Sequence, residues 1–449
     1  MSSVSVAKHS KETANNLAAI RAAARTSDYF YEQVRFLANH IGPRLSGSRQ
    51  AAAAVEYVHN QMRDLGLSVQ LEPVIVRHWV RGREEAQLVR YPGRVDETSQ
   101  KIVVTALGNT VGTPADGVTA PIVVVGTFEE LDALPSERVT GKVVLFDHAF
   151  DDMAAQAGRW EHAYGRVVPY RSDGPAKAAL KGAVAALVRS SGPTGLRLPH
   201  TGLTRFADGI PPIPAGAVTT EDAQLITDLA KHGEVVIRLL LTPYDLPQAG
   251  SYNVIADLKG SQFPEEIVIV SGHLDSWDLG TGALDDAAGV GVAMDVLRII
   301  NSTDARPRRT VRFVAWMNEE NGTAGGRAYA KAHERELRDH VAAVEIDFGD
   351  GRPLGLSVHA EEGRFAKLSA VLQAIADPIG GVVRVPTSPG VDLTAMSQAG
   401  VPAIAPLQDA RRYFEYHHTP ADTFDKVRPD ELRQEVEVLG SLIYLLAQH

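Results

Sequence analysis

The spacing of apolar residues predicts helices in the first part of the chain. Between residues 10 and 41, apolar side chains such as Leu17 and Ile20 recur at steps of three and four, which places them on one face of a helix. A turn, IGPRLSGS, follows, and QAAAAVEYVHNQMRDL at 50–65 predicts a second helix. The next stretch, LSVQLEPVIVRHWVRG, alternates as a strand does, and Pro73 within it indicates a sheet edge or a bulge.

From about residue 112 to 245 the pattern changes to short valine-rich runs divided by glycine and proline. The runs APIVVVG, GKVVLFDH, GAVAALVRSS and EVVIRLLLTPY predict strands, and GPAKAALK predicts a helix among them. We interpret this block as a β-rich domain inserted into a larger one. The predicted domains are the first part of the main domain, the insert and the second part of the main domain, at 1–111, 112–245 and 246–449.

After residue 251, apolar runs typical of strands alternate with segments of helical spacing. The runs EEIVIVSGH, TVRFVAWMNEE, VAAVEIDFGD and VPAIAPLQ predict strands, and the helices predicted between and after them include 363–377 and 429–447. Helices placed between strands favour a mostly parallel sheet that is covered on both faces. The expected fold class is therefore α/β, with a mostly parallel mixed sheet and an inserted β-rich domain.

Composition narrows the function classes. The chain has 449 residues, enough for two domains, and its 44% hydrophobic and 22% charged residues are close to average globular usage. A net charge of -10 argues against nonspecific nucleic-acid binding, which needs a surplus of Lys and Arg. Because the chain has no cysteine, disulfides, thiolate metal sites and cysteine nucleophiles are excluded, and any metal must be bound by His, Asp and Glu.

Neither a targeting signal nor a membrane span is evident in the sequence. The opening MSSVSVAKHSKETANN has no apolar core of the kind a secretory signal needs. No stretch approaches the roughly 20 apolar residues that span a bilayer. We therefore expect a cytoplasmic protein that has neither nucleic acid nor membrane as a partner.

Ionisable side chains are concentrated in the loop that follows the apolar run IVIV. The segment EEIVIVSGHLDSWDLGTGALDDAAGV, at 265–290, contains His273, Asp275, Asp278, Asp285 and Asp286. Its glycines allow the backbone to turn, and an α/β sheet presents ligands at the carboxyl ends of its strands. We therefore expect the chemistry of the protein at this stretch.

Three later strand ends carry further acids or imidazoles. They are Glu319 and Glu320 after TVRFVAWMN, Asp347 after VAAVEI, and His417 and His418 in YFEYHHTPADT. Each alone is weak evidence, but the carboxyl ends of parallel strands meet at one edge of a sheet. A convergent set of nitrogen and oxygen ligands suits zinc, and also manganese or cobalt. Asp285 has room to bridge two ions, and of the paired glutamates one can ligate while the other takes protons.

Four motifs, HLDSWDLGTGALDDAAG, WMNEENG, EIDFG and YHHTPADT, together resemble those of the co-catalytic zinc peptidases of family M28. The phrases IGPRLSGS, LPHTG and SGHLDSWD resemble the carboxypeptidase Q branch of that family. The resemblance covers nearly the whole chain. It implies a phosphorylase/hydrolase-like three-layer sandwich, interrupted by a protease-associated domain where the valine-rich block stands.

The resemblance also implies two zinc ions per chain and a role for each site residue. His418 is preferred to His417 because the last ligand of the family stands four residues before an Asp-Thr pair. Glu319 matches the general base, and Asp275 matches the carboxylate that orients the first histidine. The bond from Asp285 to Asp286 is expected to be cis. The implied metal ligands are His273 and Asp347 on one zinc, Asp285 between both, and Glu320 and His418 on the other.

The implied activity is that of a metallo-exopeptidase acting on dipeptides or short unblocked peptides, with a metal-bridged hydroxide as nucleophile. A glutaminyl cyclase-like transferase with a single zinc is the enzyme alternative, and a catalytically inactive binding protein is the other. Relatives also imply a homodimer. Two further features have two interpretations each. Asp392 either binds a substrate terminus or caps a helix. His200 and Thr201 either reach the site from the inserted domain or belong to a plain turn.

Overall fold

The computed structural model describes residues 10–303 and 306–449, and the chain divides into two compact units. The first unit consists of the described residues up to Val76, with Gln248–Tyr413 and Asp422–His449. The second consists of Arg77–Pro247 and the short segment Phe414–Ala421. No described helix is long and apolar enough to cross a membrane.

Strands and helices are numbered here in chain order. The strands are β1 (Ser68–Val80), β2 (Glu84–Arg90), β3 (Gln100–Ile102), β4 (Val104–Ala106), β5 (Val118–Val125), β6 (Val143–Phe146), β7 (Ala185–Arg189), β8 (Ala215–Val218), β9 (Val236–Leu241), β10 (Tyr244–Leu258), β11 (Phe263–His273), β12 (Arg309–Trp316), β13 (His340–Glu345), β14 (Pro353–His359), β15 (Val382–Arg384) and β16 (Ala403–Gln408). The α-helices are α1 (Lys11–Arg25), α2 (Tyr29–Arg35), α3 (Arg49–Asp64), α4 (Phe128–Ala133), α5 (Asp152–Gln156), α6 (Trp160–Ser172), α7 (Gly174–Leu180), α8 (Thr220–Ala230), α9 (Ala288–Ser302), α10 (Glu319–Gly322), α11 (Ala324–Ala332), α12 (Glu362–Ala376), α13 (Thr394–Gln398), α14 (Tyr413–Tyr416) and α15 (Pro429–Gln448). Short π or 3₁₀ turns are Phe36–Ile41, Ser136–Arg138, Ala283–Ala287, Leu337–Asp339 and Phe424–Lys426.

The first unit contains an eight-stranded sheet in the order β1-β10-β12-β11-β13-β16-β14-β15. Strand β11 runs parallel to both of its neighbours, β12 and β13, and β13 is parallel to β16. The pairs β10–β12 and β14–β16 are antiparallel. The sheet is mixed and mostly parallel, which confirms the α/β fold class expected from the alternation of strands and helices.

Helices bury both faces of this sheet. On one face, Ile267 and Ile269 of β11 pack in a cluster with Tyr329 of α11 and Met396 of α13. Because successive side chains of a strand point to opposite faces, Val268 and Val270 face the other way, where α9 and α15 lie against β11. All four β11 side chains are buried, and each such burial contributes about 1.5–3 kcal/mol to stability. The core of the first unit is thus a sheet between two helical layers.

Most predicted helices of the first unit are present, with one break. The predictions at 50–65, 363–377 and 429–447 match α3, α12 and α15 to within a residue or two. The run predicted at 10–41 is divided into α1 and α2, because Ser27 leaves the helix and its hydroxyl donates to the buried carboxylate of Asp295 at 2.6 Å. A buried polar anchor therefore interrupts a pattern that is otherwise helical.

The second unit has its own eight-stranded sheet, in the order β3-β2-β9-β5-β6-β7-β8-β4. Its core includes Val144 and Phe146 of β6 and Val188 of β7. Helix α7 confirms the helix predicted from GPAKAALK, whereas α6, which contains Pro169, has no clear apolar period and was not predicted. The identity of this unit as a protease-associated domain stays a prediction.

The predicted domain ranges also stay predictions. The structure divides the chain after Val76 and after Pro247, inside the long strands β1 and β10. The predicted boundaries at 111/112 and 245/246 were placed where the composition changes. Residues 1–9 of the first predicted domain lie outside the described residues.

Candidate metal centre

The candidate centre lies at the carboxyl ends of neighbouring parallel strands in the first unit. In register, His273 of β11 stands beside Trp316 of β12, and Ser271 of β11 stands beside Glu345 of β13. The loops that leave these three strand ends carry the predicted residues of the first unit. Parallel pairing therefore brings together side chains that are far apart in sequence.

Three of the predicted ligands converge on one point. His273 Nε2 lies 3.0 Å from Asp285 Oδ1 and 3.2 Å from Asp347 Oδ1, and these three atoms lie within 4.8 Å of one another. The imidazole is 1% exposed and the two carboxylates are 5% and 19% exposed. One imidazole and two carboxylates, mostly buried, form a cluster of the composition that zinc takes in proteins.

The proton arrangement of His273 fits a metal ligand. Its Nδ1 lies 2.9 Å from the backbone carbonyl oxygen of Asp275. A carbonyl only accepts hydrogen bonds, so Nδ1 carries a proton, and Nε2, which faces the two carboxylates, is the nitrogen that is left to bind a metal. Burial alone lowers the pKa of His273, but Asp347 and Asp285 outweigh burial and raise it well above its usual value. The cluster therefore requires positive charge at its centre, which a zinc ion would supply.

Glu319 and Glu320 begin the short helix α10 directly after β12. Burial raises the pKa of both carboxyls well above the usual value, and the charge of Asp285 raises both further. Glu320 Oε1 also accepts a hydrogen bond of 3.1 Å from the backbone N–H of Trp277, a buried residue of the loop that follows β11. The structure thus brings both glutamates to the cluster. Their division into base and ligand stays a prediction.

Asp275 differs from its predicted role in the atom that it uses. The resemblance implies that its carboxylate orients His273, whereas the structure gives this contact to its backbone carbonyl. Its carboxylate Oδ1 instead accepts from the backbone N–H groups of Asn318 and Glu319, at 2.7 and 3.0 Å. Asp275 therefore fixes His273 with its main chain and the start of the glutamate turn with its side chain.

Asp286 holds the main chain on both sides of the site. Its Oδ2 accepts from the backbone N–H of His273 at 3.0 Å, and its Oδ1 accepts from Gly289 at 2.9 Å. A Cβ on Gly289 would stand 2.2 Å from the carbonyl oxygen of Ile346, so only glycine fits there. The Asp285–Asp286 peptide bond is cis, which confirms the expectation.

Arg44, in the motif IGPRLSGS, holds the loop between His273 and Asp285 and was missed as a site residue. It is fully buried, and it donates to the carbonyl oxygens of Leu274, Thr281 and Gly282 at 3.0, 2.7 and 2.8 Å. Burial lowers its pKa to about 10, against the opposing charge of Asp422. The sequence signals were one arginine within a glycine-containing turn and the resemblance of IGPRLSGS to the carboxypeptidase Q branch.

Asp422 is the second site residue that the sequence did not assign. Its carboxylate accepts from three successive backbone N–H groups, those of Ala283, Leu284 and Asp285, at 3.0, 2.7 and 3.2 Å. Burial and the charge of Asp285 raise its pKa to about 7. In the sequence analysis, Asp422 served only to choose His418 over His417. The residues around Asp422 contain no pattern that indicates its contacts with a loop about 140 residues away.

His418 belongs to the second unit and is described within it. Its Nδ1 lies 3.2 Å from the carbonyl oxygen of Thr201 and 3.3 Å from an Arg171 guanidinium nitrogen, and its ring stacks on His417. His200 is buried in the same unit, where burial and His418 lower its pKa to about 3. His418 as a zinc ligand stays a prediction.

Comparisons with known proteins show what this chain is similar to. The family model described as Peptidase family M28 matches residues 253–443. Human carboxypeptidase Q is 35% identical over 93% of this chain and 85% of its own length. The crystal structure of a peptidase M28 precursor from Shewanella amazonensis has a TM-score of 0.89 and 36% identity, and the match covers 98% of both chains.

A more distant likeness concerns the fold alone. The zinc aminopeptidase of Bacillus subtilis is 20% identical, with a TM-score of 0.67 over 94% of this chain and 95% of its own. The identity and coverage of the carboxypeptidase Q match are what show the family. The protein is a metallopeptidase, and the chain belongs to peptidase family M28.

Proposed function

We propose that the protein is a dizinc exopeptidase that hydrolyses dipeptides or short peptides with a free N-terminus. The observation that carries the proposal is the convergence of His273 Nε2 with the carboxylates of Asp285 and Asp347, beside the glutamate pair. One relative is named a carboxypeptidase and another, from Bacillus subtilis, an aminopeptidase. A dipeptide satisfies both descriptions, because its single peptide bond adjoins both termini.

Five side chains would hold the two ions. His273 and Asp347 would bind one, Glu320 and His418 the other, and Asp285 would bridge them. Bound zinc supplies a Lewis acid that polarises the scissile carbonyl and makes water a better nucleophile at neutral pH. The donor set contains no sulfur, which suits zinc and equally admits manganese or cobalt.

Glu319 is the proposed general base. It takes a proton from the attacking water as the new carbon–oxygen bond forms, and it passes that proton to the leaving nitrogen as the carbon–nitrogen bond breaks. Asp275 fixes the backbone of Glu319 through the 3.0 Å hydrogen bond to its N–H. This anchoring supports a base whose position is set before substrate arrives.

Metal analysis and a dipeptide panel test the proposal together. We expect about two zinc ions per chain after mild dialysis, and hydrolysis of unblocked dipeptides that a chelator stops and zinc restores. A stable value of one zinc would favour the transferase alternative. Two zinc ions without hydrolysis of any panel member would favour the inactive binding protein.

The homodimer and the cytoplasmic location are proposals as well. Light scattering of the zinc-loaded chain measures the first, and a mass of one chain would contradict it. Fractionation of the native cell measures the second, and recovery of the protein outside the cytoplasm would overturn it.

A further inference from the structure

A buried carboxylate beside the metal cluster has no role in the proposed reaction. Asp392, in the loop between β15 and α13, is 1% exposed, and neither of its carboxylate oxygens has a hydrogen-bond donor among the described residues. A buried carboxylate without a donor is unfavourable unless a cation or a proton compensates it. The Asp392 carboxylate therefore needs a compensating group that the described residues do not supply.

The main chain of this loop is fixed by hydrogen bonds and packing. These contacts set the position of the Asp392 carboxylate. The backbone N–H groups of Asp392 and Leu393 donate to the two oxygens of Glu345, at 3.3 and 3.1 Å. The carbonyl oxygen of Asp392 lies 2.1 Å from where a Cβ on Gly326 would stand, so this loop packs tightly against α11. Leu393 is anchored in the hydrophobic core.

The position of Asp392 is at the same sheet edge as the proposed zinc ligands. Glu345, which holds its backbone, ends β13 two residues before Asp347. Burial raises the pKa of Asp392 well above its usual value, and the charges of Glu345 and Glu319 raise it further. The metal-type cluster of the first unit contains His273, Asp285 and Asp347 but not Asp392. A cation that reached this carboxylate would hold it in its charged form, and it would be separate from an ion held by the metal-type cluster.

We propose that Asp392 binds the α-ammonium group of the substrate and so selects peptides with a free N-terminus. This inference rests on the proposed function. A dipeptide presents one ammonium group close to its scissile bond, and each ammonium hydrogen can be donated to a carboxylate oxygen. Exclusion of water from Asp392 strengthens that charge-assisted contact.

Calorimetric titration of the zinc-loaded full chain tests the inference. Turnover is prevented by Glu319→Gln, and the probes are alanyl-leucine and its des-amino analogue propionyl-leucine. Adding Asp392→Asn should weaken alanyl-leucine binding about tenfold or more, because one charged partner is lost, and leave propionyl-leucine binding within about twofold. Asp377→Asn, which removes one charge from an exposed position, should leave both affinities unchanged.

Other outcomes overturn the inference. Equal weakening of both probes would make Asp392 a structural support, and unchanged alanyl-leucine binding would exclude it from the amine site. Asp392→Ser, a smaller neutral side chain, must give the same selectivity, and zinc content and thermal unfolding of each variant check the fold. If the wild-type chain neither binds nor hydrolyses alanyl-leucine, the proposed function itself fails. If it does both and only the selectivity is absent, the role of Asp392 alone is wrong.

Discussion

At the scale of single residues, the centre depends on backbone hydrogen bonds as much as on its metal-type side chains. His273 is oriented by a carbonyl, and Glu319 by the carboxylate of Asp275. Such outer contacts set the direction in which a ligand or base points. Glu319 itself is not a proposed metal ligand. Its substitution therefore tests the proton transfer without removing a group that binds zinc.

Glu319→Gln should lower kcat for dipeptides by about 10²–10⁴-fold, because an amide cannot take a proton from water. Zinc content should not change, since the proposed ligands are intact. Steady-state kinetics and metal analysis of the same preparation measure both quantities. Hydrolysis at the wild-type rate would show that Glu319 is not the base.

At the scale of elements, the loop from His273 to Asp285 is fastened at both ends by residues from elsewhere in the chain. Arg44 holds its carbonyls and Asp422 holds its N–H groups. Asp422→Asn replaces an acceptor of three N–H groups with an amide that also carries donors. We expect zinc affinity to fall about 10–100-fold, measured by competition with a coloured chelator.

A matched control for that substitution is Asp425→Asn, three residues further along. The Asp425 side chain is 71% exposed and pairs with Lys426, so its exchange should leave zinc affinity unchanged. If both variants lose affinity alike, the effect belongs to the net charge of the turn and not to the fastening of the loop.

His340 joins β13 to α11, and its burial predicts a dependence of stability on pH. Its Nδ1 donates to the Glu336 carbonyl oxygen at 3.0 Å and its Nε2 accepts from the Tyr329 hydroxyl at 2.8 Å. Burial lowers the pKa of His340 to about 4, from 6.5. The unfolded chain therefore binds more protons in this window, and stability falls as pH decreases from about 6.5 to about 4.

The expected loss from His340 is about 3 kcal/mol over that window. Denaturant unfolding of the wild-type chain and of His340→Gln, at several pH values, measures the difference. The variant should be less stable at neutral pH and should show a shallower acid dependence. Parallel curves for the two proteins would mean that His340 does not titrate in this way.

Sequence patterns predicted those elements and site residues whose signal is local. Helices α12 and α15 follow regular apolar spacing, and His273 and Asp347 follow apolar strands at a sheet edge, so both kinds of feature could be inferred. The contacts of Arg44 and Asp422 join segments that are far apart in sequence. The spacing of apolar residues does not indicate contacts of this kind. It also does not indicate that Asp275 contacts His273 through its backbone carbonyl.

At the scale of the whole molecule, the first unit buries several carboxyl groups near one another. Burial and mutual repulsion raise the pKa values of Glu319, Glu320 and Asp286. A bound cation relieves this repulsion, so removal of metal should destabilise the fold. Zinc at a thousand times its Kd should add about 4 kcal/mol to the free energy of unfolding.

Calorimetry of the chain with and without a chelator measures this stabilisation. The same treatment of His273→Ala, which lacks a proposed ligand, should produce a clearly smaller shift in Tm. An equal shift in both proteins would place the stabilising metal elsewhere.

The hydrogen bonds of Arg44 also determine where the chain can be cut. The family model matches 253–443, and Arg44 lies about 210 residues before that stretch begins. A fragment trimmed to the matched stretch would retain the His273–Asp285 loop but leave the carbonyls of Leu274, Thr281 and Gly282 without their buried donor. The stretch that matches the family model is therefore shorter than the stretch needed for folding. A minimal peptidase must keep the N-terminal segment that contains Arg44.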